Sequence, residues 1–258
     1  MTKPIDRAEM KAQTRELLQT AQVSPKGMTA LYCACLFLFS LLEALIPGPE
    51  LVSTFLSILT TLAEWILAAG FALYCMDIRR RERSEYAVLF DGFSFTGKII
   101  ALNIVINLFV FLWSMLFVVP GFIAYYRYRF ALYNLCENPG LSVMEALDMS
   151  KRQTQGWKLE LLKLDLSYLG WIVLSLLPAL YVDGRLYLQV LSDPSVLLTA
   201  SSSLTEIIVC GMWSLAVSLF FLPNYQCVNL DYFDAAKAAV SGGQPFRRTD
   251  GPDDLGSF

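Results

Sequence analysis

The stretch LWSMLFVVPGFIAYYRYRF, Leu112 to Phe130, decides how the rest of this chain is arranged. It begins as an uninterrupted apolar run, breaks at Pro120 and Gly121, and resumes as an aromatic segment carrying Arg127 and Arg129. Proline lacks a backbone donor and clashes with the preceding helical turn, and glycine loosens the chain beside it. The apolar run extends from Ile99 to Tyr126. As one helix it would measure roughly 42 Å, against a hydrocarbon core of about 30 Å. A kinked single pass and a tight hairpin both fit the apolar pattern.

Charge on either side discriminates between them. Arg79, Arg80, Arg81 and Arg83 follow the preceding apolar run, and Arg127, Arg129, Lys151, Arg152 and Lys158 follow the break. Cytoplasmic loops carry the excess of Lys and Arg. A single pass would put these two groups on opposite faces. A hairpin with its outer turn at Pro120-Gly121 and a short return helix, Phe122 to Cys136, puts the basic residues inside. The hairpin is therefore the preferred reading, although it leaves Arg127 and Arg129 on or within the return helix.

Composition supports membrane residence. The chain is 55% hydrophobic and 17% charged, with a mean hydropathy of +0.49, whereas soluble domains sit nearer 45–50% apolar and about 25% charged. The net charge of -3 offers no general basicity for nucleic acid. Histidine is absent, which excludes His-based triads, imidazole metal sites and the ordinary pH switch. Cys33, Cys35, Cys75 and Cys210, four of the six cysteines, lie in apolar runs without a CxxC pair, so free thiols are expected.

Moving outward, Met1 to Lys26 is polar and lacks the apolar core of a signal peptide. Within it, Arg7 to Ala21 reads as a solvated, thinly amphipathic helix. Met28 to Ile46 and Leu51 to Met76 form the first pair of spans, joined by the PGPE turn at Pro47 to Glu50. Asp91-Gly92 predicts a turn in the polar loop that follows. Beyond the return helix, Asn138-Pro139-Gly140 is a turn, and Ser142 with Glu145 has the spacing of a capping box. The helix it opens is expected to be amphipathic and interfacial, with Val143, Met144, Ala146, Leu147 and Ser150 on one face and Gly156 as its stop. Leu159 to Val182 and Leu204 to Leu222 are the last spans, the latter ending at Pro223. From Ser241 onward the Gly, Pro and Asp content reads as disordered.

The fold expected is all-α: a polytopic membrane helix bundle of about six passes, including a Pro-Gly-broken helical hairpin, with an added interfacial helix. Its parts are an N-terminal segment (1–26), the membrane bundle (27–236) and a tail (237–258).

Polar groups in lipid need partners. Glu64 lies mid-span, and Asn103 and Asn107 share a face at i, i+4 spacing. A candidate intramembrane cluster therefore joins Glu64 to Arg127 or Arg129, with Asn103 and Asn107 alongside. Polar contacts of this kind commonly do no more than fasten helices together, and that plain reading is favoured. A second candidate is an interfacial clasp of Ser142, Glu145, Ser150, Lys151, Arg152, Lys163 and Asp165. In it Lys163 meets Glu160 at i, i+3, and Asp165 accepts from the capped helix or from Lys151 or Arg152. Asp231 and Asp234 are expected on an exposed helix. No nucleophile elbow, phosphate loop or metal pair is present in the sequence, so no enzyme, cofactor or metal is expected.

The segments VVPGFIAYYRYRFALY and ENPGLSVMEALDMSKRQTQGWKLELLKLDLSYLGW carry a family resemblance. The chain resembles, from about Arg7 to Phe233, an uncharacterised bacterial integral-membrane family known as domain of unknown function nine hundred and seventy-five. Pro120-Gly121, Tyr126, Arg127-Tyr128, Asn138-Pro139, Ser142, Ala146, Ser150, Gly156, Lys158, Leu164 to Ser167 and Gly170-Trp171 fall in register with its pattern. Leu161 and Tyr168 depart from it mildly, where phenylalanine is common. The resemblance implies a bacterial cell membrane and no established activity. A similar arrangement in membrane domains attached to some glycerophosphodiester phosphodiesterases suggests lipid-facing work by analogy. The function expected is non-enzymatic binding of membrane lipid, or of a membrane protein partner or second copy, in envelope homeostasis. The alternative is a small transporter whose pathway the broken helices line, with an enzyme acting on lipid third. Both termini are expected in the cytoplasm.

Overall fold

The computed structural model describes residues 7–46, 49–82, 84–193 and 203–242. Pro47 and Gly48 of the first turn, Arg83 and the tail from residue 243 lie outside the described residues. The described chain is helical throughout and contains no strand. In order the helices are α1 (Arg7–Gln19), α2 (Pro25–Leu45), α3 (Glu50–Arg80), a 3-10 helix (Tyr86–Phe95), α4 (Thr96–Leu116), α5 (Val118–Arg127), α6 (Ala131–Glu137), α7 (Val143–Gln153), α8 (Lys158–Ser192) and α9 (Leu204–Ser241). Five helical stretches among the described residues are long and apolar enough to cross a membrane: α2, α3, the 3-10 helix continued by α4, α8, and α9.

Local chemistry sets their ends. The Ser24 hydroxyl accepts from the Gly27 N–H, with Pro25 at the first helical position of α2. Ser142 and Ser203 each form a reciprocal capping box, with Glu145 and Glu206. Gly156, with φ of 85°, takes the left-handed turn between α7 and α8 that a residue bearing a Cβ would resist.

The hairpin is present, and its break falls at Phe117, before Pro120. Phe117 is extended (φ -161°, ψ 153°) between α4 and α5. Pro120 then sits in the first turn of α5, where a missing backbone donor costs nothing. Gly121 lets α5 return against α4, because a Cβ there would overlap Ser114. The return leg is itself interrupted at Tyr128 to Phe130, between α5 and α6.

Two helices exceed their expected bounds. α8 continues past Val182 to Ser192, and α9 continues through Pro223 to Ser241. Proline removes one backbone bond, but the segment beyond it is buried: Cys227, Val228, Leu230, Tyr232, Phe233 and Ala236 all face the core. That packing outweighs the break, so residues 237–241 are helical, although they were expected in the tail. The expected turn at Asp91-Gly92 is a 3-10 helix, with Gly92 against the carbonyl of Ile66. Nor is α1 a solvated lead-in. Thr14 is buried and donates to Asp231 of α9 at 2.7 Å, and the Lys11 ammonium reaches Ser167 of α8 at 2.8 Å.

The bundle has two unlike halves. One end, here called the base, gathers α1, α6, α7, the end of α3, the starts of α4 and α8, and the last turns of α9. Its largest fully buried side chains include Phe71, Tyr74, Phe130, Tyr232 and Phe233, each worth about 1.5–3 kcal/mol in burial. The opposite half is apolar on its outside. Leu51, Phe55, Met115, Phe117, Tyr181 and Phe220 are all exposed, as lipid-facing residues are.

Close approach at Gly70 yields a test. A Cβ there would run into the backbone carbonyl of Leu89, whereas nothing lies near Gly170 of α8. Gly70→Ala is expected to lower the melting temperature in detergent, at about 1–3 kcal/mol of overpacking. Gly170→Ala is expected to leave it equal or higher, by up to about 1 kcal/mol of helix propensity. Equal melting of the two variants would contradict the packing described.

Candidate functional site

The break between α5 and α6 turns Arg129 inward, and the bundle closes around it. Its guanidinium makes a two-pronged contact with Asp165 of α8, with Nη1 2.6 Å from Oδ2 and Nη2 2.8 Å from Oδ1. Nε and Nη2 also donate to Asn229 Oδ1 on α9, at 3.1 and 2.8 Å. The carboxylate accepts two hydroxyls besides, from Tyr126 on α5 and Tyr225 on α9, both at 2.8 Å. Only 9% of the Arg129 side chain and 21% of the Asp165 side chain remain exposed. Burying two charges is costly unless geometry is good and the remaining donors and acceptors are filled. Here each guanidinium nitrogen and both carboxylate oxygens have a partner.

Serine and threonine from α7 repair the break itself. Where α5 stops, the Arg127 carbonyl and the Phe130 N–H lose helical partners. The Ser150 hydroxyl donates to the Arg127 carbonyl at 2.9 Å and accepts from Phe130 N–H at 3.2 Å, and Thr154 adds a second donor to the same carbonyl. Beside them Asn134 and Gln153 exchange reciprocal amide bonds of 2.8 and 2.9 Å in the core.

The structure separates the residues of the expected intramembrane cluster. Glu64 is exposed on α3 and takes no part in the Arg129 network. Asn103 and Asn107 donate to the backbone carbonyls of Ile99 and Asn103 in their own helix, each one turn earlier. This back-bonding satisfies their amides without a partner helix. Arg127 contributes its carbonyl to the α7 contact, and Asp165 takes the place given to Glu64.

Of the expected clasp, Ser142 and Glu145 cap α7, while Lys151 pairs with Asp148 and Lys163 with Glu160, at 2.7 and 2.8 Å. Arg152 donates to the Asp148 carbonyl. Asp165 meets Arg129 and not Lys151 or Arg152, because it sits two turns inside α8 and faces α5 and α9. Met144 points outward, away from the buried face of Ala146, Leu147 and Ser150. Hydrogen bonds from the Ser142 backbone and hydroxyl hold the Glu145 carboxyl below the usual carboxylate range. A lowered value means that the cap strengthens the fold near neutrality and is lost as pH falls through the folded-state value. Tyr225 and Asn229 belong to neither of the clusters expected from the sequence. Their signal was a polar run after Pro223 inside an otherwise apolar helix.

Two further ion clusters fasten the base. Arg79 of α3 meets Asp231 at 2.9 Å and Asp234 at 2.7 Å, so these aspartates serve an interhelical contact and Asp231 is largely buried. Glu137 meets Lys237 and Arg80, at 2.6 and 3.4 Å. All six cysteines are unpaired thiols. No group of three or more potential metal ligands occurs among the described residues.

Two sizeable cavities among the described residues flank α9. One, of about 430 Å³, lies between the outer parts of α2, α8 and α9 and is lined by Cys33, Ser40, Asp183, Glu206 and Ser214 among others. The other, of about 620 Å³, lies where α1 and the start of α2 meet α8 and α9. Its wall combines Arg15, Gln19, Gln22 and Lys26 with Tyr168, Trp171, Leu219 and Phe220. Neither adjoins the α4–α5 hairpin.

Comparison with known proteins gives one match. Residues 116–239 match a family model described as "Protein of unknown function (DUF975)", the family that the sequence resembles. The matched range holds the hairpin's return leg, α7, α8 and nearly all of α9, and so every member of the Arg129 network. Residues 7–115, included in the resemblance, lie outside the matched range. No curated protein and no solved structure matches the chain.

Breaking the buried pair from one side strands a charge, at about 3–5 kcal/mol. Asp165→Ala is therefore expected to abolish or strongly reduce monodisperse protein in detergent, and Glu64→Gln to leave it unchanged. Size-exclusion profiles and melting curves of the two variants check this.

Proposed function

We propose that this chain is a non-enzymatic, lipid-binding integral membrane protein of the bacterial cell membrane, serving envelope homeostasis. The observation that carries the reading is the cavity of about 620 Å³ beside α1, which joins a polar wall to an apolar one. It sits where the packed base gives way to the exposed apolar half. An amphiphile has that same division. The interior polar groups support a structural role over catalysis, since Arg129 and Asp165 satisfy each other and present no free acid, base or nucleophile. A transporter pathway along the broken helices has less support, because both cavities adjoin α9 and Gly121 closes α5 onto α4.

Orientation follows from charge. Arg79, Arg80, Lys98, Arg127, Lys151, Arg152 and Lys158 belong to the base, and Arg185 is the basic residue described at the opposite end. This reading places the base, and with it both termini, in the cytoplasm.

Two measurements test the proposal. Purified protein, washed extensively in detergent, is expected to retain about one phospholipid per chain by native mass spectrometry. Ala21→Trp, which fills the cavity, is expected to release it without lowering the melting temperature. Absence of retained lipid, or retention unaffected by the filled cavity, contradicts the reading. A protein partner or a second copy would appear as added mass in the same spectra. For orientation, Arg185→Cys is expected to react with an impermeant maleimide from outside intact cells, and labelling solely after lysis would reverse the topology.

A further inference from the structure

The two cavities differ in charge. The outer one is lined by two carboxylates, Asp183 and Glu206, and by no basic residue. The one beside α1 is lined by Arg15 and Lys26 and by no carboxylate. Neither cation forms an ion pair among the described residues, whereas Arg79 and Lys237 of the base are paired with acids. Lys26 lies with its ammonium 5.8 Å from the centre of the Phe220 ring, at the border of the polar and apolar walls. Below it Trp171 and Leu219 continue the lining with apolar surface. Tryptophan and tyrosine favour headgroup depth, and lysine and arginine beside them draw anionic lipid.

We propose that this cavity is a headgroup site for an anionic phospholipid of the adjoining leaflet. The phosphate lies between Arg15 and Lys26, and the acyl chains leave across Trp171 and Leu219. The inference rests on the lipid-binding reading and adds a preference for negative charge. α1 supplies Arg15 and is fixed over the site from two directions. Asn224 donates to the Lys11 carbonyl at 3.3 Å, and the Lys11 ammonium stands 4.0 Å above the Tyr168 ring. The roof is thus held by the same helices that form the wall.

The test uses the full-length protein exchanged into micelles of equal phosphatidylglycerol and phosphatidylethanolamine, read by native mass spectrometry. The wild type is expected to retain phosphatidylglycerol preferentially. Arg15→Gln and Lys26→Gln are each expected to cut that preference about 5-fold, and the double variant about 30-fold, while bound phosphatidylethanolamine stays the same. Lys158→Gln, outside the cavity, is expected to leave the ratio at the wild-type value. An unchanged ratio in the double variant overturns the proposal, as does displacement of phosphatidylglycerol by millimolar inorganic phosphate, which would mark a free-anion site. Loss of both lipids from the wild type would instead remove the underlying lipid-binding reading. Both cations are exposed, so the single variants are expected to melt with the wild type, and they keep the test valid if the double variant does not.

Discussion

One buried ion pair governs the arrangement of this bundle. A guanidinium taken out of water needs a carboxylate in good geometry and a partner for every remaining donor. Arg129 obtains the carboxylate and a partner for each of its nitrogens only when α5, α8 and α9 stand in one register, because Asp165, Tyr225 and Asn229 come from the latter two. The pair therefore specifies position more than it adds stability. A hydrophobic contact between the same helices would tolerate sliding by a turn. A two-pronged salt bridge with hydroxyls on both carboxylate oxygens does not.

The rest of the base serves that register. The interruption that aims Arg129 inward leaves backbone groups without partners, and α7 supplies them through Ser150 and Thr154. α7 is in turn pinned by its capping box and by the Asn134–Gln153 pair. Outside this level the two halves obey different solvents. The base buries its aromatic residues against one another, as a domain in water does, whereas the opposite half leaves its own exposed, as lipid permits. A cavity at the boundary between the two regimes has one wall suited to each.

Much of the fold was legible because its signals are local. Apolar runs near the length of a span announce helices, Ser142 and Glu145 announce a cap, and basic residues on both sides of Pro120 call for a hairpin. The break moved to Phe117 because a proline is harmless in the first turn of a helix, so the residue that marks an interruption need not sit at it. Pro223 misled for the opposite reason: burial of the residues after it carries the helix onward. The least legible part was the partner of Arg129. Glu64 and Asp165 both lie in apolar surroundings, and only the three-dimensional facing of α8 toward α5 selects the second. Tyr225 and Asn229 gave even less, since an aromatic and an amide in a helix are common without any such role.

The spacing of these partners along the chain bears on how the protein is made. Arg129 precedes Asp165 by 36 residues and Asn229 by 100. During synthesis from the N-terminus the return leg therefore emerges with its arginine unsatisfied, and it stays so until α8 follows, and is not fully satisfied until α9 does. The register of α5 is thus fixed from far along the sequence, and no segment that ends before α9 can complete it.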